Sequence, residues 1–246
     1  MPNESGSPGH AASQQPGDDK KRAPRAFFGR RKGHPLKPRQ AALFDALLPR
    51  LALDFAQPAP ADLRTLFATP VDDLRLEIGF GGAEHLAAQA QANPGIGFIG
   101  CEPFVNGMAK ALAAIDALKL DNIRLHHGDA TAVLGWLPAG SLQRVELIHP
   151  DPWPKRRHWK RRFIQHASIA AIARVLRAGG ELRFASDWPD YVAWTLERLI
   201  RSPDFIWTAE RAGDWRVPWP DFSGTRYQDK ALREGREPYF LAFRRR

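Results

Sequence analysis

One cysteine, Cys101, is all the thiol chemistry this chain carries. A lone cysteine excludes an internal disulfide and any zinc site built on cysteines, and it fits a reducing cytoplasmic compartment. Cys101 closes an apolar run, so a small buried hydrophobe is its expected role. No stretch approaches the roughly 18 apolar residues of a membrane span, and the N-terminus is polar rather than signal-like. Acids are too few to balance the bases: 27 Asp and Glu stand against 36 Lys and Arg, a formal charge of +9. That excess points to a polyanionic partner, nucleic acid or membrane surface. The histidines His126, His127, His149, His158 and His166 are scattered, so no metal site is expected.

Residues 1–24 hold almost no large apolar groups and are expected to form a disordered tail. Residues 25–39 set Phe27 and Phe28 among Arg30, Arg31, Lys32 and Lys37. This basic arm either orders on RNA or on the protein's own surface, or is a plain linker. A single domain is expected over 40–246. It opens with a helix over residues 40–53, where Leu43, Leu47, Leu48 and Leu51 recur at helical spacing. Strands are expected at 74–78, 96–101, 122–125, 145–148 and 181–186, with weaker candidates at 205–208 and 239–244. Helices are expected at 83–91 and 105–118, after the basic block as far as Gly179-Gly180, and from Trp188-Pro189 onward. This alternation implies right-handed crossovers and a parallel sheet with helices on both faces.

In such a sheet the strand ends share one edge, and here they are acidic. Glu77 lies beside the turn Gly79-Phe80-Gly81-Gly82, Glu102 closes the second strand, Asp129 follows the third and Asp151 the fourth. Carboxylates favour a ligand with hydroxyls, amines or positive charge. Glu102 stands about 20 residues beyond the Gly turn, where an acid receives a ribose, and Asp129 could accept from an adenine amine. The turn lacks the third glycine of the dinucleotide fingerprint and puts Glu84 where a pyrophosphate would approach, which disfavours a dehydrogenase. S-adenosylmethionine has no phosphate and carries a sulfonium, so the acidic Gly loop suits it. A tight turn without a ligand is the plain alternative.

The stretch 146–162, ELIHPDPWPKRRHWKRR, runs from a buried strand through a proline-stiffened loop into a basic block. Asp151, Trp153 and the cations Lys155, Arg156, Arg157, Lys160, Arg161 and Arg162 suit a flat base attached to a phosphate backbone. A solvated helix start is the plain reading of such a block.

LEIGFGG at 76–82, Gly-Cys-Glu-Pro at 100–103, HHGDA at 126–130, HPDPWPKRRHWKRR at 149–162, SDW at 186–188 and TRYQDKALREGREPYFLAFRR at 225–245 together resemble the bacterial tRNA (guanine-N7-)-methyltransferases. The Gly loop is common to many methyltransferases, whereas the DPWP-basic stretch and the TRY segment are specific to this family. The resemblance runs from about residue 25 to the C-terminus. It implies an α/β fold of the Rossmann-like class I methyltransferase type, mostly parallel with an antiparallel edge strand. It implies S-adenosylmethionine as cofactor, held or bordered by Glu77, Gly79, Gly81, Glu102, Asp129 and Asp151. It implies tRNA as substrate, met by Lys155, Asp187 and the run Thr225, Arg226, Tyr227 and Gln228, with the variable-loop guanine conventionally numbered 46 as target. Two positions depart from the family pattern: Ala83 stands where a Gly is usual, and Gln228 where a Glu is usual.

Guanine N7 has an in-plane lone pair and no proton to lose, so its methylation needs no general base. Positioning should supply most of the rate. Asp151 is assigned the guanine edge or the positive charge that develops on it, and Trp153 the shape of the pocket. Arg156, Arg157, Lys160, Arg161 and Arg162 are assigned to phosphates. Two rivals remain at this point. An exocyclic-amine methyltransferase acting on DNA or ribosomal RNA also uses an acid-Pro-x-aromatic loop, with the order of the last two residues changed. A non-enzymatic RNA-binding module would bind RNA without the cofactor. Either way a monomer or homodimer acting in the cytoplasm, away from membranes, is expected.

Overall fold

Strand β1 (Asp73–Ile78) alternates apolar Leu74, Leu76 and Ile78 with charged Arg75 and Glu77, the period of a pleated strand. The computed structural model containing it describes residues 28–246; the tail expected at 1–24 and the first arm residues, 25–27, lie outside the described residues. Helices α1 (Pro38–Ala46) and α2 (Leu48–Leu51) precede β1. After it come α3 (Glu84–Ala92), β2 (Ile96–Cys101), α4 (Val105–Leu118), β3 (Ile123–His126) and α5 (Ala130–Trp136). The second half holds β4 (Leu142–Ile148), α6 (His166–Val175), β5 (Leu176–Ser186), α7 (Pro189–Ile200), β6 (Phe205–Trp207), α8 (Arg226–Arg233) and β7 (Tyr239–Arg245).

The strands form one sheet in the order β3-β2-β1-β4-β5-β7-β6. Strands β1 to β5 run parallel, and β7 is antiparallel to both its neighbours. The antiparallel strand expected at the edge is thus β7, with the three-residue β6 outside it. Helices cover both faces: Leu86, Met108 and Leu112 pack with Phe98, Ile123 and Leu125 in one cluster. Val133, Ile169, Ile172 and Leu199 pack with Leu76, Ile99, Val145 and Leu182 in the other. Chain order reverses between β1 and β4, so their carboxyl ends open the crevice where sheets of this kind bind ligands.

Three local readings change. The helix expected over 40–53 is broken in two, with Pro49 in the first turn of α2, because proline cannot donate back into a preceding turn. The helix expected to end at Gly179-Gly180 ends at Val175; Leu176 already pairs with Leu142, and Gly179 (φ +75°) serves the irregular register there instead of a helix cap. Helices α5 and α8 were not expected, and both start on side-chain caps: Asp129 accepts from Thr131 N–H, and Thr225 from Gln228 N–H. The arm packs on α4, with Val105 N–H donating to Arg31 O at 2.9 Å and Gly33 N–H to Asn106 Oδ1 at 2.8 Å.

Candidate active site

The Gly loop is shaped by backbone conformation and held by one carboxylate. Gly79 (φ +71°) and Gly81 (φ +58°) adopt the left-handed region that glycine tolerates. Ala83 adopts it too, at φ 63°, so the alanine keeps the conformation a glycine would have, at a local cost of about 1 kcal/mol. Glu102 Oε2 accepts Gly81 N–H at 2.7 Å, and Oε1 accepts Phe104 N–H at 2.9 Å. Burial nevertheless pushes this carboxyl above its ordinary range. Each oxygen keeps a lone pair for a further donor such as a hydroxyl.

Below the loop lies a charged layer that the sequence reading did not single out. Arg75 and Glu77 on β1, Arg144 and Glu146 on β4, and Glu181 and Arg183 on β5 are register neighbours across three strands. Burial pushes the Glu146 carboxyl upward, but His85 Nε2 at 3.6 Å and Arg144 and Arg183 at 3.8 and 3.6 Å outweigh it and hold its pKa below the usual carboxylate range. Glu77, equally buried, has no such set, and burial pushes it up to about 8. Its Oε2 is buried without a hydrogen-bond partner. Asp221 closes the layer, taking Arg183 at 2.6 Å and Arg144 at 2.7 Å. These two guanidiniums hold its carboxyl far below the usual range against the opposing pull of burial. The backbone beside it is fixed as well, since Gln89 Nε2 donates to Asp221 O and to Ser223 Oγ. The signal for this layer was legible as charge alternation in a buried strand, R-V-E at 144–146 against E-L-R at 181–183.

Asp151 lies in the loop that begins at His149 after β4 and is exposed by area, yet burial still pushes its carboxyl upward. Being open to water, it keeps most of its solvation. His149 (φ 47°) and Trp153 (φ 45°) bracket it in the left-handed region, unusual for residues of that size. One face of Trp153 carries the Arg161 guanidinium, 4.9 Å from the ring centre, and Arg161 also stacks on Phe28 of the arm at 5.5 Å. Lys155 immediately precedes the 3-10 helix Arg156–Arg161 without a side-chain cap hydrogen bond, and Lys155, Arg156, Arg157 and Lys160 stand exposed. Arg162 contradicts its assignment to a phosphate. Only 2% of it is accessible, and its guanidinium lies among Trp159, Tyr191 and Trp194.

The N-terminus of α8 reaches over the Gly loop. A Cβ on Gly81 would meet the Tyr227 ring at 3.1 Å, and Arg226 Nε lies 3.7 Å from Glu84. Thr225 Oγ1 accepts Gln228 N–H at 3.1 Å, half of a capping box, a place that Gln fills as well as Glu. Asp187, at the end of β5, is engaged on both oxygens, by His149 Nδ1 at 3.3 Å and Arg236 Nε at 2.7 Å. Asp129, besides capping α5, lines a cavity of about 300 Å³ with Pro103, Val105, His127, Gly128 and the arm residues Arg31 and Lys32.

The structure therefore gathers Glu77, Gly79, Gly81, Glu102, Asp151, Arg226 and Tyr227 around the β1–β4 crevice, with Asp129 beside it. The orphaned Glu77 oxygen, the open lone pairs of Glu102 and the acidic lining fit a cofactor that presents an ammonium, hydroxyls and an amine. Among the described residues no cluster of His, Cys, Asp and Glu could hold a metal ion, and no helix is long and apolar enough to cross a membrane.

Sheet order, switch-point Gly loop and strand-end acids together define a class I S-adenosylmethionine-dependent methyltransferase. The fold agrees with the crystal structure of the 16S rRNA methyltransferase KamB, at TM-score 0.51 and 16% identity over 77% of this chain and 95% of that one. A family model described as "Putative methyltransferase" matches residues 72–241. The tRNA (guanine-N(7)-)-methyltransferase of Nitrobacter hamburgensis is 62% identical over 89% of this chain and 86% of its own. The enzyme of the same name from Nitrobacter winogradskyi is 57% identical over 96% of this chain and 95% of its own. The chain belongs to the tRNA (guanine-N7-)-methyltransferase family.

Proposed function

We propose that this chain transfers the methyl group of S-adenosylmethionine to N7 of a tRNA guanine, the variable-loop guanine conventionally numbered 46, acting in the cytoplasm as a monomer or homodimer. The observation that carries the reading is the switch-point arrangement. Glu77 and Glu102 flank the Gly loop, while Asp151 leads into an exposed basic 3-10 helix. Cofactor pocket and phosphate-binding surface are thereby joined by one short loop.

When bound, S-adenosylmethionine supplies a methyl group on a cationic sulfur. Glu102 takes the ribose hydroxyls, Asp129 the adenine amine, and Glu77 with Gly79 and Gly81 the remainder of the cofactor. Asp151 orients the guanine edge and stabilises the positive charge that grows on the purine. No residue removes a proton, so the upward pressure on the Asp151 pKa is a by-product of its setting. Trp153 bounds the base pocket on the face that Arg161 leaves free. Lys155, Arg156, Arg157, Lys160 and Arg161 meet tRNA phosphates, while Asp187 and the run Thr225, Arg226, Tyr227 and Gln228 bound the substrate side. The joining of α8 to the Gly loop favours guanine and cofactor being enclosed together.

The test is Asp151→Asn assayed with labelled cofactor and tRNA. Cofactor affinity should stay near that of the parent, while kcat falls by about 10²–10³, the cost of losing one preorganised electrostatic group. Near-normal turnover in that variant contradicts the role given to Asp151.

A further inference from the structure

We infer that Arg162 is a positioning residue for the loop that carries Asp151, rather than a tRNA contact. The inference rests on the reading that Asp151 acts at the reacting guanine. Arg162 Nε donates to the carbonyl of Pro152, the residue after Asp151, at 2.9 Å, and Nη1 donates to the carbonyl of Asp190 at 3.2 Å. The same guanidinium lies 4.8, 4.9 and 5.2 Å from the ring centres of Trp159, Tyr191 and Trp194. It thus ties the loop after β4 to the first turn of α7 through a cage of aromatic faces.

The loop needs such a tie for a reason written in its sequence. Pro150, Pro152 and Pro154 have no N–H, so the stretch around Asp151 has few donors with which to hold its own shape. His149 and Trp153 add left-handed conformations at φ 47° and 45°, which persist where surrounding structure over-determines them. What such a loop can offer is carbonyls, and Arg162 supplies the donor. Further anchors hold the same block: Gln165 Nε2 donates to Trp159 O and Arg162 O, Trp194 Nε1 to Ile164 O, and Ile164 N–H to Tyr191 Oη. A buried cation whose hydrogen bonds go to carbonyls is costly, and Nη2 remains without a partner. An apolar side chain would pack there more cheaply, so stability alone does not account for a guanidinium. The outward cations Arg156, Arg157 and Lys160 are left to the phosphates.

The test uses the full chain with Arg162→Lys, which keeps the charge and stem but loses the planar fork, and Arg162→Met, which keeps much of the volume. Saturating-substrate turnover should fall by about 10²-fold, the usual effect of displacing a reacting geometry by an ångström. Cofactor affinity, tRNA affinity and its salt slope should remain within about twofold of wild type, because no phosphate contact is lost. In an Asp151→Asn background, Arg162→Lys should add little further loss, since both act on one step. Weakened tRNA binding with a slope flattened by about 0.9 would make Arg162 a phosphate contact and overturn the inference. Unchanged turnover in Arg162→Lys overturns it too. So does failure of that variant to fold, which would make the residue structural. A wild-type enzyme inactive on tRNA would instead sink the functional reading itself.

Discussion

Glu77 on β1 and Glu146 on β4 are register neighbours at the switch point, and their surroundings push the pKa values of these two buried carboxyls in opposite directions. His85, Arg144 and Arg183 surround Glu146 and hold its pKa down. Glu77 is left to burial, which lifts it to about 8. A carboxyl with a raised pKa therefore lies at the switch point, beside the Gly loop.

Cofactor binding should ionise Glu77 and release a proton below pH 8, so affinity should rise with pH up to about that value. Calorimetry in buffers of different ionisation enthalpy reads the proton directly, and Glu77→Gln should abolish the release and weaken binding. Folding stability depends on pH in the opposite direction. An acid whose folded pKa is raised contributes stability that is complete below its unfolded pKa and is lost as pH climbs to about 8. The melting temperature of Glu77→Gln relative to wild type should therefore increase between pH 5 and pH 8.5, by about 2–4 °C for each kcal/mol relieved.

Glu102 joins the Gly loop to the start of α4 by accepting from Gly81 and Phe104. Bonds to a charged acceptor are worth about 1.5–3 kcal/mol each. Glu102→Ala should lower cofactor affinity by at least tenfold in a titration, while Glu102→Gln, which can still accept once, should lose less. Equal affinities for Ala and wild type would refute this role.

Replacing Arg156, Arg157 and Lys160 together by Ala should leave cofactor binding intact and reduce the salt slope of tRNA binding by about two to three, the counterions of three phosphates. A triple variant with the parent slope would place the tRNA elsewhere.

Asp221 anchors the segment that delivers Thr225 to the Gly loop, through Arg144 and Arg183. Its side chain is 36% accessible, so solvent screening discounts the pair. Asp221→Asn should cost about 1–2 kcal/mol, below the roughly 3–5 kcal/mol for breaking a fully buried ion pair. Thermal melting reads the loss, and the KM for tRNA should rise because α8 is no longer pinned.

Much of this was legible in the sequence. The apolar strands of 74–78 and 96–101, the acids that end them and the Gly turn depend on local pattern, and the sheet follows from their alternation. Helices α5 and α8 escaped because each begins on a polar cap in a segment read for its chemistry. Arg162 was misread because six cations in one block look alike in sequence, whereas the 3-10 helix sends one of them inward onto α7. The pairing of Glu77 with Glu146 is a matter of register between strands nearly 70 residues apart, fixed by the crossover and not by any local signal.

N7 methylation of one guanine in tRNA is read most directly by strand cleavage at that base. An unmodified tRNA transcript treated with the enzyme and S-adenosylmethionine, then with borohydride and aniline, should break at the variable-loop guanine, because N7-alkylated guanine is reduced and its strand cleaved. Methyl incorporation without a break would signify an exocyclic amine as acceptor, and a break at another guanine a different target; either result contradicts the account.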